Sequence, residues 1–342
     1  MTKWLIAAIL AASPAAAIEP SPPTPLFAND VPIRLTIQGP IGQIARGAED
    51  STAPRPASLI LAAPPETHAI RLSARGLTRR LKQTCTFPPL RVELAQPAAA
   101  SLFAGQRRLK LVTHCRSSEG FQQHLLLEYA AYRMFNLLSP SSFRVRLATI
   151  DYAEPSGKLS ATRWGFFIED LDDAARRNGL TEARVGPRIE VSQLEPRQAA
   201  RVALFEYMIG NLDWSMRAGP EGDACCHNAR LIGGVGTTLV PLPYDFDYSG
   251  LVDAPYAVPP DGFNIMSVKN RVYQGYCRHS AEALAAAADI RARRPAIEAL
   301  FGQVPGMSDK TRAKALAYLG GFFSDIATDD TVRAKLLRSC RA

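Results

Sequence analysis

The chain has 342 residues, of which 47% are hydrophobic and 21% are charged, and this composition excludes an intrinsically disordered protein. Its length suggests two lobes or domains. Lysine and arginine number 40 against 32 aspartate and glutamate residues, a formal net charge of +8. A basic surface favours anionic partners, and the alternative is charge that only maintains solubility. The lack of a basic run long enough to act as a tail supports the solubility alternative. We expect no nucleic-acid partner.

The first segment of the chain, MTKWLIAAILAASPAAA, combines one lysine, an apolar run and a final stretch of small residues. This arrangement is typical of a secretory signal peptide, so we expect residues 1–17 to be removed and the protein to be exported to the periplasm or beyond the cell. The apolar run is too short to span a bilayer comfortably, and a retained anchor is the alternative. Residues 18–30 are rich in proline and predict an irregular arm.

Residues 31–116 predict a succession of β-strands, because apolar and polar residues alternate. The segments are VPIRLTIQG, SLILAAP, HAIRLSARG, LRVELAQ and LKLVTHC, and they predict an antiparallel sheet. A helix is predicted next over GFQQHLLLEYAAYRMFNLL, where apolar residues recur at helical spacing and Pro140 follows. Two further strands are predicted over FRVRLATIDYAE and TRWGFFIED.

The rest of the chain predicts helices, over EPRQAARVALFEYMIGN, over HSAEALAAAADIRARRPAIEALFG and from Ser308 to the C-terminus. A hairpin that contains NARLIGG and TTLVPLPYDFD interrupts this helical part. The order of elements predicts an α+β fold with two lobes. Residues 31–170 would form an antiparallel, β-rich N-lobe with one helix, and residues 171–342 a mainly helical C-lobe.

The six cysteines predict disulfide bonds rather than a zinc site, because the chain is expected to be exported and contains no CxxC spacing. Cys85 and Cys115 lie at the edges of predicted strands in one sheet, so we expect them to be bonded to each other. For the remaining four the sequence leaves alternatives open. One cysteine of the adjacent pair Cys225 and Cys226 is expected to form a disulfide bond with either Cys277 or Cys340.

Polar residues with oxygen ligands gather at the ends of short predicted elements in the C-terminal half. Asp213 follows the helix that ends in FEYMIGN, Asn228 precedes the strand ARLIG, and Asp245 and Asp247 lie in PLPYDFDYSG. We expect the hairpin to bring Asp213, Asn228 and Asp245 into one cleft. Carboxylate and amide oxygens suit magnesium, which shares its coordination shell with phosphates. A neighbouring aspartate can orient or deprotonate a hydroxyl for phosphoryl transfer.

The N-terminal half supplies matching cations. Lys110 lies within a predicted strand, and Glu128 lies on the next helix beside three leucines, so a buried ion pair between them is expected. A strand lysine paired with a helix glutamate is how kinase folds hold nucleotide phosphates. Arg75 and Gly76 lie in RLSARGLTRR, which is a candidate phosphate cover, and a solvated basic turn is the alternative.

Several segments resemble the CotH-type atypical kinases and, more distantly, the HipA-like kinases. They are RLSARGLTRR, CTFPPLRVEL, LKLVTHC, LLLEYAAYR, GNLDW, HNARLI and YDFDYSG. The resemblance covers roughly residues 68–280, and its most specific part is GNLD followed by HN and then DFD. It implies a protein-kinase-like fold and an enzyme that uses magnesium or manganese with ATP or another nucleotide. The acceptor would be a protein or a small hydroxyl compound.

The resemblance also implies a role for each matching residue. Lys110 would bind nucleotide phosphate, and Glu128 would hold Lys110. Asp213 would be the catalytic acid and base, while Asn228 and Asp245 would bind the metal.

The hinge that holds adenine would be GFFIEDLD, which includes Glu169. One departure is the gap between Asp213 and Asn228, which WSMRAGPEGDACCH fills. Either this insert loops out, pinned by a cysteine, or the nucleotide site is degenerate. His227 is interpreted as a loop-capping residue rather than a catalytic one. The alternative function is a non-catalytic binding module of the cell envelope, and the sequence does not indicate the oligomeric state.

Overall fold

The protein is described here from a computed structural model that covers residues 19–95, 99–234 and 236–342. The predicted signal peptide lies outside these residues. The strands are β1 (Ile33–Gln38), β2 (Arg55–Ala62), β3 (Pro65–Ala74), β4 (Leu90–Leu94), β5 (Arg108–Val112), β6 (Val145–Ala153), β7 (Leu159–Ile168), β8 (Thr181–Glu182), β9 (Ala229–Gly233) and β10 (Val240–Pro243). The α-helices are α1 (Ile41–Arg46), α2 (Glu119–Leu138), α3 (Leu171–Arg177), α4 (Pro196–Ile209), α5 (Ser280–Ala292), α6 (Arg294–Leu300), α7 (Asp309–Asp325) and α8 (Asp329–Lys335).

The first seven strands close into a barrel in the order β1-β2-β3-β4-β5-β7-β6. Neighbouring strands pair antiparallel except at the closure, where β1 runs parallel to β6 with Leu35 opposite Ile150 and Ile37 opposite Tyr152. A parallel pair needs a long crossover, and here the whole chain from β2 to β5 and helix α2 lies between the two strands. Closure removes the exposed edges that an open sheet of these strands would present.

Successive residues of each strand point to opposite faces of the barrel wall, and apolar side chains are buried on both faces. Leu35, Ile37 and Phe167 point into the interior, which is packed with aliphatic and aromatic side chains. Phe166 and Ile168, which flank Phe167 on β7, instead pack outward against the helices. Because successive strand residues face opposite sides, an apolar run such as GFFI can be buried on both.

Helices α2 and α4 form the centre of the second core, outside the barrel. Almost every residue of α4 from Gln198 to Ile209 is buried, and α2 packs on the outer faces of β6 and β7. Helix α4 begins at Pro196, where the Glu195 side chain accepts hydrogen bonds from two backbone N–H groups. It ends at Gly210, which has a φ of 65° and would place a Cβ atom against the Tyr318 hydroxyl.

The predicted two-lobed, protein-kinase-like fold is wrong. Within the described residues the protein has a closed mixed barrel of seven strands, a separate three-stranded sheet in the order β10-β9-β8, and eight α-helices. The local patterns identified the strands and the main helices, but they carry no information about barrel closure. The antiparallel sheet that we predicted becomes a mixed barrel because its first strand pairs with β6, more than a hundred residues along the chain.

The proline-rich segment before β1 is irregular and packs against the barrel. Leu26 and Phe27 are buried, in a single turn of 3₁₀ helix. Gln106 donates a hydrogen bond to the Thr24 hydroxyl (2.8 Å), and Arg146 donates to the carbonyl oxygen of Asn29 (2.6 Å). The boundaries predicted at residues 30 and 170 stay predictions.

Three disulfide bonds are present. Cys85 is bonded to Cys115, which confirms the predicted pair. The remaining prediction is wrong, because Cys225 bonds its neighbour Cys226 and Cys277 bonds Cys340.

Candidate active site

A cleft of about 700 Å³ lies beside the barrel, between the outer face of β4 and β5 and the loops that flank β9 and β10. Its charged and polar lining residues are Arg75, Thr78, Arg79, Arg91, Lys110, Asp213, Asp223, His227, Asn228, Arg230, Asp245 and Asp247. Three tyrosines, Tyr132, Tyr244 and Tyr248, line it as well. The cleft therefore contains both carboxylates and cationic side chains, and several elements of the fold contribute to each of these two sets.

Asp213 and Asn228 are joined directly. The Asn228 amide nitrogen donates to the backbone carbonyl oxygen of Asp213 (2.7 Å) and to its carboxylate Oδ2 (3.0 Å). His227 Nε2 lies 2.7 Å from the other carboxylate oxygen of Asp213, Oδ1. This hydrogen bond, more than any other influence, raises the pKa of His227 above its ordinary value. The insert between Asp213 and Asn228 loops out, and an antiparallel β-bridge between Ser215 and His227 brings its two ends together. The long gap in sequence therefore does not separate the side chains of Asp213 and Asn228.

Asp245 enters the cleft from the loop after β10. Its backbone N–H donates to the Tyr132 hydroxyl (2.8 Å), and the next residue, Phe246, is fully buried against Tyr132 and Phe205. Asp245 and Asn228 both have positive φ values, 67° and 47°, in the left-handed region that aspartate and asparagine tolerate best. The buried phenylalanine thus anchors the loop while the aspartate before it faces the cleft.

Asp247, the second acid of DFD, faces the interior. Its carboxylate accepts a hydrogen bond from the Tyr256 hydroxyl (2.9 Å) and lies 3.8 Å from the Arg79 guanidinium. Burial, followed by the charge of Asp245, raises the pKa of Asp247 to about 7.

The predicted ion pair between Lys110 and Glu128 is wrong. Glu128 Oε2 instead lies 3.4 Å from Arg79 Nη1, and Arg79 Nη2 also donates to the carbonyl oxygen of Thr113 (2.8 Å). Burial raises the pKa of Glu128 well above its ordinary value, with the charge of Asp247 as the second cause. One arginine therefore connects the loop after β3 to helix α2 and to the DFD loop.

Lys110 lines the cleft, and it forms no ion pair with Glu128. Its Nζ atom is 4.7 Å from the centre of the Tyr244 ring, a cation–π contact. Burial is the main cause that lowers the pKa of Lys110 to about 8, and the neighbouring charges of Arg75 and Arg230 act in the same direction.

The predicted phosphate cover also lies at the cleft. Arg75 and Gly76 line it, and Gly76 has a φ of 85° that favours glycine. Glu169 does not line the cleft: its carboxylate oxygens bind the Arg177 guanidinium (3.1 and 2.8 Å) and the backbone N–H of Arg144 (3.0 Å). Any role of the residues around Glu169 in holding a base stays a prediction.

Asp245 and Asn228 both carry oxygen atoms with the chemistry to bind a cation. No described residue donates a hydrogen bond to the Asp245 carboxylate or forms an ion pair with it, and the Asn228 amide nitrogen is held by Asp213, which leaves the amide oxygen as an acceptor. Within residues 19–95, 99–234 and 236–342, no group of three or more His, Cys, Asp or Glu side chains is placed to hold a metal ion. Asp245 and Asn228 alone fit the pattern in which magnesium takes few protein ligands and completes its shell with water and phosphate oxygens.

Sequence reasoning did not assign several residues of this cleft to a site, among them His227, Arg91, Arg230 and Tyr244. His227 was interpreted as a loop cap, although it directly precedes Asn228. A signal for Arg91 was present, because it alternates with the buried Leu90 and Val92 and must face the same side of the sheet as its partner on β5. The chain holds no comparable local signal for Tyr244.

A scan against protein-family models and a search of curated proteins found no match to this chain. The three disulfide bonds indicate an oxidising, exported environment. None of the helices in the described part of the chain has the length and apolar character needed to cross a membrane.

Proposed function

We propose that the protein is an exported phosphotransferase that transfers a phosphoryl group from a nucleotide to a hydroxyl of a protein or a small molecule. The observation that supports this most is the convergence of Asp213, Asn228 and Asp245 with several cations in one cleft. Phosphoryl transfer is accelerated chiefly by positioning and by neutralising phosphate charge, and this cleft offers groups for both.

Asp213 is suited to act on the acceptor hydroxyl. His227 and Asn228 each occupy one of its carboxylate oxygens and fix the orientation of the group, while each oxygen retains a further lone pair. Asp213 would hold the hydroxyl in line with the phosphorus atom and accept its proton as the new O–P bond forms and the bond to the nucleoside diphosphate breaks. Lys110 and Arg75 would bind the phosphate oxygens.

Asp245 and the amide oxygen of Asn228 would hold magnesium or manganese. When bound, such an ion neutralises charge on the phosphate oxygens. The hydrogen bond from the Asp245 N–H to Tyr132 and the burial of Phe246 would keep the carboxylate at its position in the cleft.

Calorimetry with ATP and magnesium tests this function. Asp245→Asn should abolish metal-dependent nucleotide binding, because it removes a charged ligand and retains a residue that tolerates a positive φ. Asp213→Asn should retain nucleotide binding and stop phosphoryl transfer. Asp253→Asn is the matched control, since Asp253 also has a positive φ, 52°, but is exposed and outside the cleft. Equal metal-dependent binding by wild type and Asp245→Asn would exclude a metal role for the DFD loop.

A non-catalytic nucleotide-binding module of the cell envelope is the second candidate. The observation that favours this module is that both carboxylate oxygens of Asp213 already accept a hydrogen bond, one from His227 and one from Asn228. A protein that binds ATP with magnesium but transfers no phosphate to water, to itself or to a panel of hydroxyl compounds would support this module and exclude the phosphotransferase.

A further inference from the structure

We propose that four cationic side chains of the cleft form a binding site for a linear polyphosphate chain, and that this site does not require a divalent metal. They are Arg75, Arg91, Lys110 and Arg230, and together they are termed the basic wall. The inference rests on the proposed function only in assigning the phosphate end of the nucleotide to this wall. It adds Arg91 and Arg230, and it removes the metal as a condition for binding.

The fold places these cations next to one another. Arg91 on β4 is the direct partner of Lys110 on β5, so both side chains project from the same face of the barrel wall. Like charges in directly opposed positions destabilise an antiparallel pair, so this arrangement costs stability in the free protein.

Tyr244 connects Lys110 to the second part of the wall. Lys110 Nζ lies 4.7 Å and Arg230 Cζ lies 5.5 Å from the centre of the same tyrosine ring. Arg75 joins them from the end of β3, and its charge acts on Lys110 together with that of Arg230. Strands β4, β5 and β9 and the residue that follows β3 thus each direct a cation into one space.

No side chain of the basic wall has an acidic partner. In the described part of the chain, none of its four members has a carboxylate oxygen within 4.0 Å or a hydrogen bond from its cationic group. Arg79 and Arg177, by contrast, are both paired with buried glutamates. Unpaired guanidinium groups that converge in a cleft match the bidentate recognition of phosphate.

The presence of four cations in one cleft favours a chain of phosphates over a single one. A triphosphate carries charge on every phosphate group and can contact several members of the wall at once, whereas inorganic phosphate can satisfy only some of them. Because the cations neutralise the phosphate oxygens themselves, the interaction does not depend on a bridging metal ion. The nucleoside is not needed for it, so ATP and inorganic tripolyphosphate share the required chemistry.

Calorimetry in EDTA tests this inference with inorganic tripolyphosphate, ATP, AMP and inorganic phosphate as probes. We expect tripolyphosphate and ATP to bind, and AMP and inorganic phosphate to bind at least about tenfold more weakly. Arg230→Gln and Arg91→Gln should each weaken tripolyphosphate binding by about tenfold. Arg184→Gln changes the net charge equally at an exposed position outside the cleft and should have no effect.

Thermal unfolding provides a measurement that does not depend on catalysis. Tripolyphosphate should raise the unfolding temperature of the wild type and of Arg184→Gln, and it should raise that of Arg91→Gln much less. Without polyphosphate, Arg91→Gln should be at least as stable as the wild type, because it relieves the repulsion with Lys110.

The two proposals fail in different ways. Tripolyphosphate binding in EDTA that depends on Arg91 and Arg230, without any phosphoryl transfer, would retain the basic wall and exclude the phosphotransferase. Binding of ATP only with magnesium, and no binding of tripolyphosphate in EDTA, would overturn the basic wall and leave the phosphotransferase intact. Equal weakening by Arg184→Gln would also overturn it, because the effect would then be one of net charge.

Discussion

At the scale of single residues, Arg79 holds the candidate site together through charge. It is the cation between two buried acids, Glu128 at 3.4 Å and Asp247 at 3.8 Å. Arg79→Met retains the volume of the side chain and leaves both carboxylates without a counter-ion. We expect a loss of about 3–5 kcal/mol in the free energy of unfolding, as measured by urea titration at pH 8.

The loss caused by Arg79→Met should depend on pH. Burial has already raised the pKa of Asp247 to about 7, and removing the cation raises it further. An acid with a raised pKa in the folded state loses its stabilising contribution as pH rises through that pKa, so the variant should be closer to the wild type at pH 5 than at pH 8. The double variant Arg79→Met/Glu128→Gln should recover part of the loss. A pH-independent difference would mean that the cost lies in packing rather than in charge.

Lys110 gives a second pH prediction, with the opposite direction. Its pKa in the folded protein is lowered to about 8, below the ordinary value near 10.5. A depressed pKa contributes stability above the unfolded pKa and loses it as pH falls through the folded pKa. Between pH 8 and pH 10 the wild type should therefore gain stability relative to Lys110→Met, by up to about 1.4 kcal/mol per pH unit. Parallel stability curves for the two proteins in that range would show that Lys110 titrates normally.

Residue types and spacing predicted the acidic side of the site better than its cationic side. Asp213, Asn228 and Asp245 were found because short polar motifs end the predicted elements, and the structure brings them together in the cleft. The partner of Glu128 was predicted wrongly. Lys110 lies between two leucines in the sequence, whereas Arg79 lies between Thr78 and Arg80, and only the path of the loop after β3 determines that Arg79 reaches helix α2.

At the scale of elements, the disulfide bonds constrain very different lengths of chain. Cys277 and Cys340 are separated by 63 residues and Cys85 and Cys115 by 30, whereas Cys225 and Cys226 are adjacent. In the chain-entropy model, a bond stabilises the folded state by restricting the unfolded chain, and the effect grows with the loop that it closes.

Replacing each cysteine pair with alanine should rank the three bonds by loop length. We expect losses of about 4 kcal/mol for Cys277 and Cys340, and about 3.5 kcal/mol for Cys85 and Cys115. The adjacent pair should cost much less, because it closes almost no loop. The measurement is urea unfolding of each double variant. A cost for the Cys225 and Cys226 variant as large as that for Cys277 and Cys340 would show that the adjacent bond acts through contacts in the folded state instead.

The sequence predicts most elements and few of their long-range pairings. Alternation identified the strands of the barrel, and helical spacing identified α2 and α4, because these patterns depend on local burial. The C-terminal segment was predicted as one helix over residues 279–302, but Arg293 separates α5 from α6. Barrel closure and the bond between Cys277 and Cys340 depend on contacts distant in sequence, for which one sequence holds no local signal.

At the scale of the whole molecule, strand β1 determines whether the barrel closes. It lies between β2 and β6, and its side chains Leu35 and Ile37 belong to the barrel interior. Without it, β2 and β6 would both become open edges, and open edges promote pairing between molecules. The segment before β1 contributes differently, since Leu26 and Phe27 are buried against an already closed barrel.

Two truncated proteins should separate these contributions, with a chain that begins at residue 19 as the reference. A chain that begins at Val31 retains β1 and loses two buried side chains, so it should fold as the reference does with about 3–6 kcal/mol less stability. A chain that begins at Gly39 loses β1, and we expect it to aggregate and to lose the near-ultraviolet circular dichroism of packed aromatic side chains. Size-exclusion chromatography and circular dichroism measure both outcomes. A monomeric Gly39 chain with the reference spectrum would show that the remaining six strands hold their arrangement without closure, and that β1 covers the barrel rather than completing it.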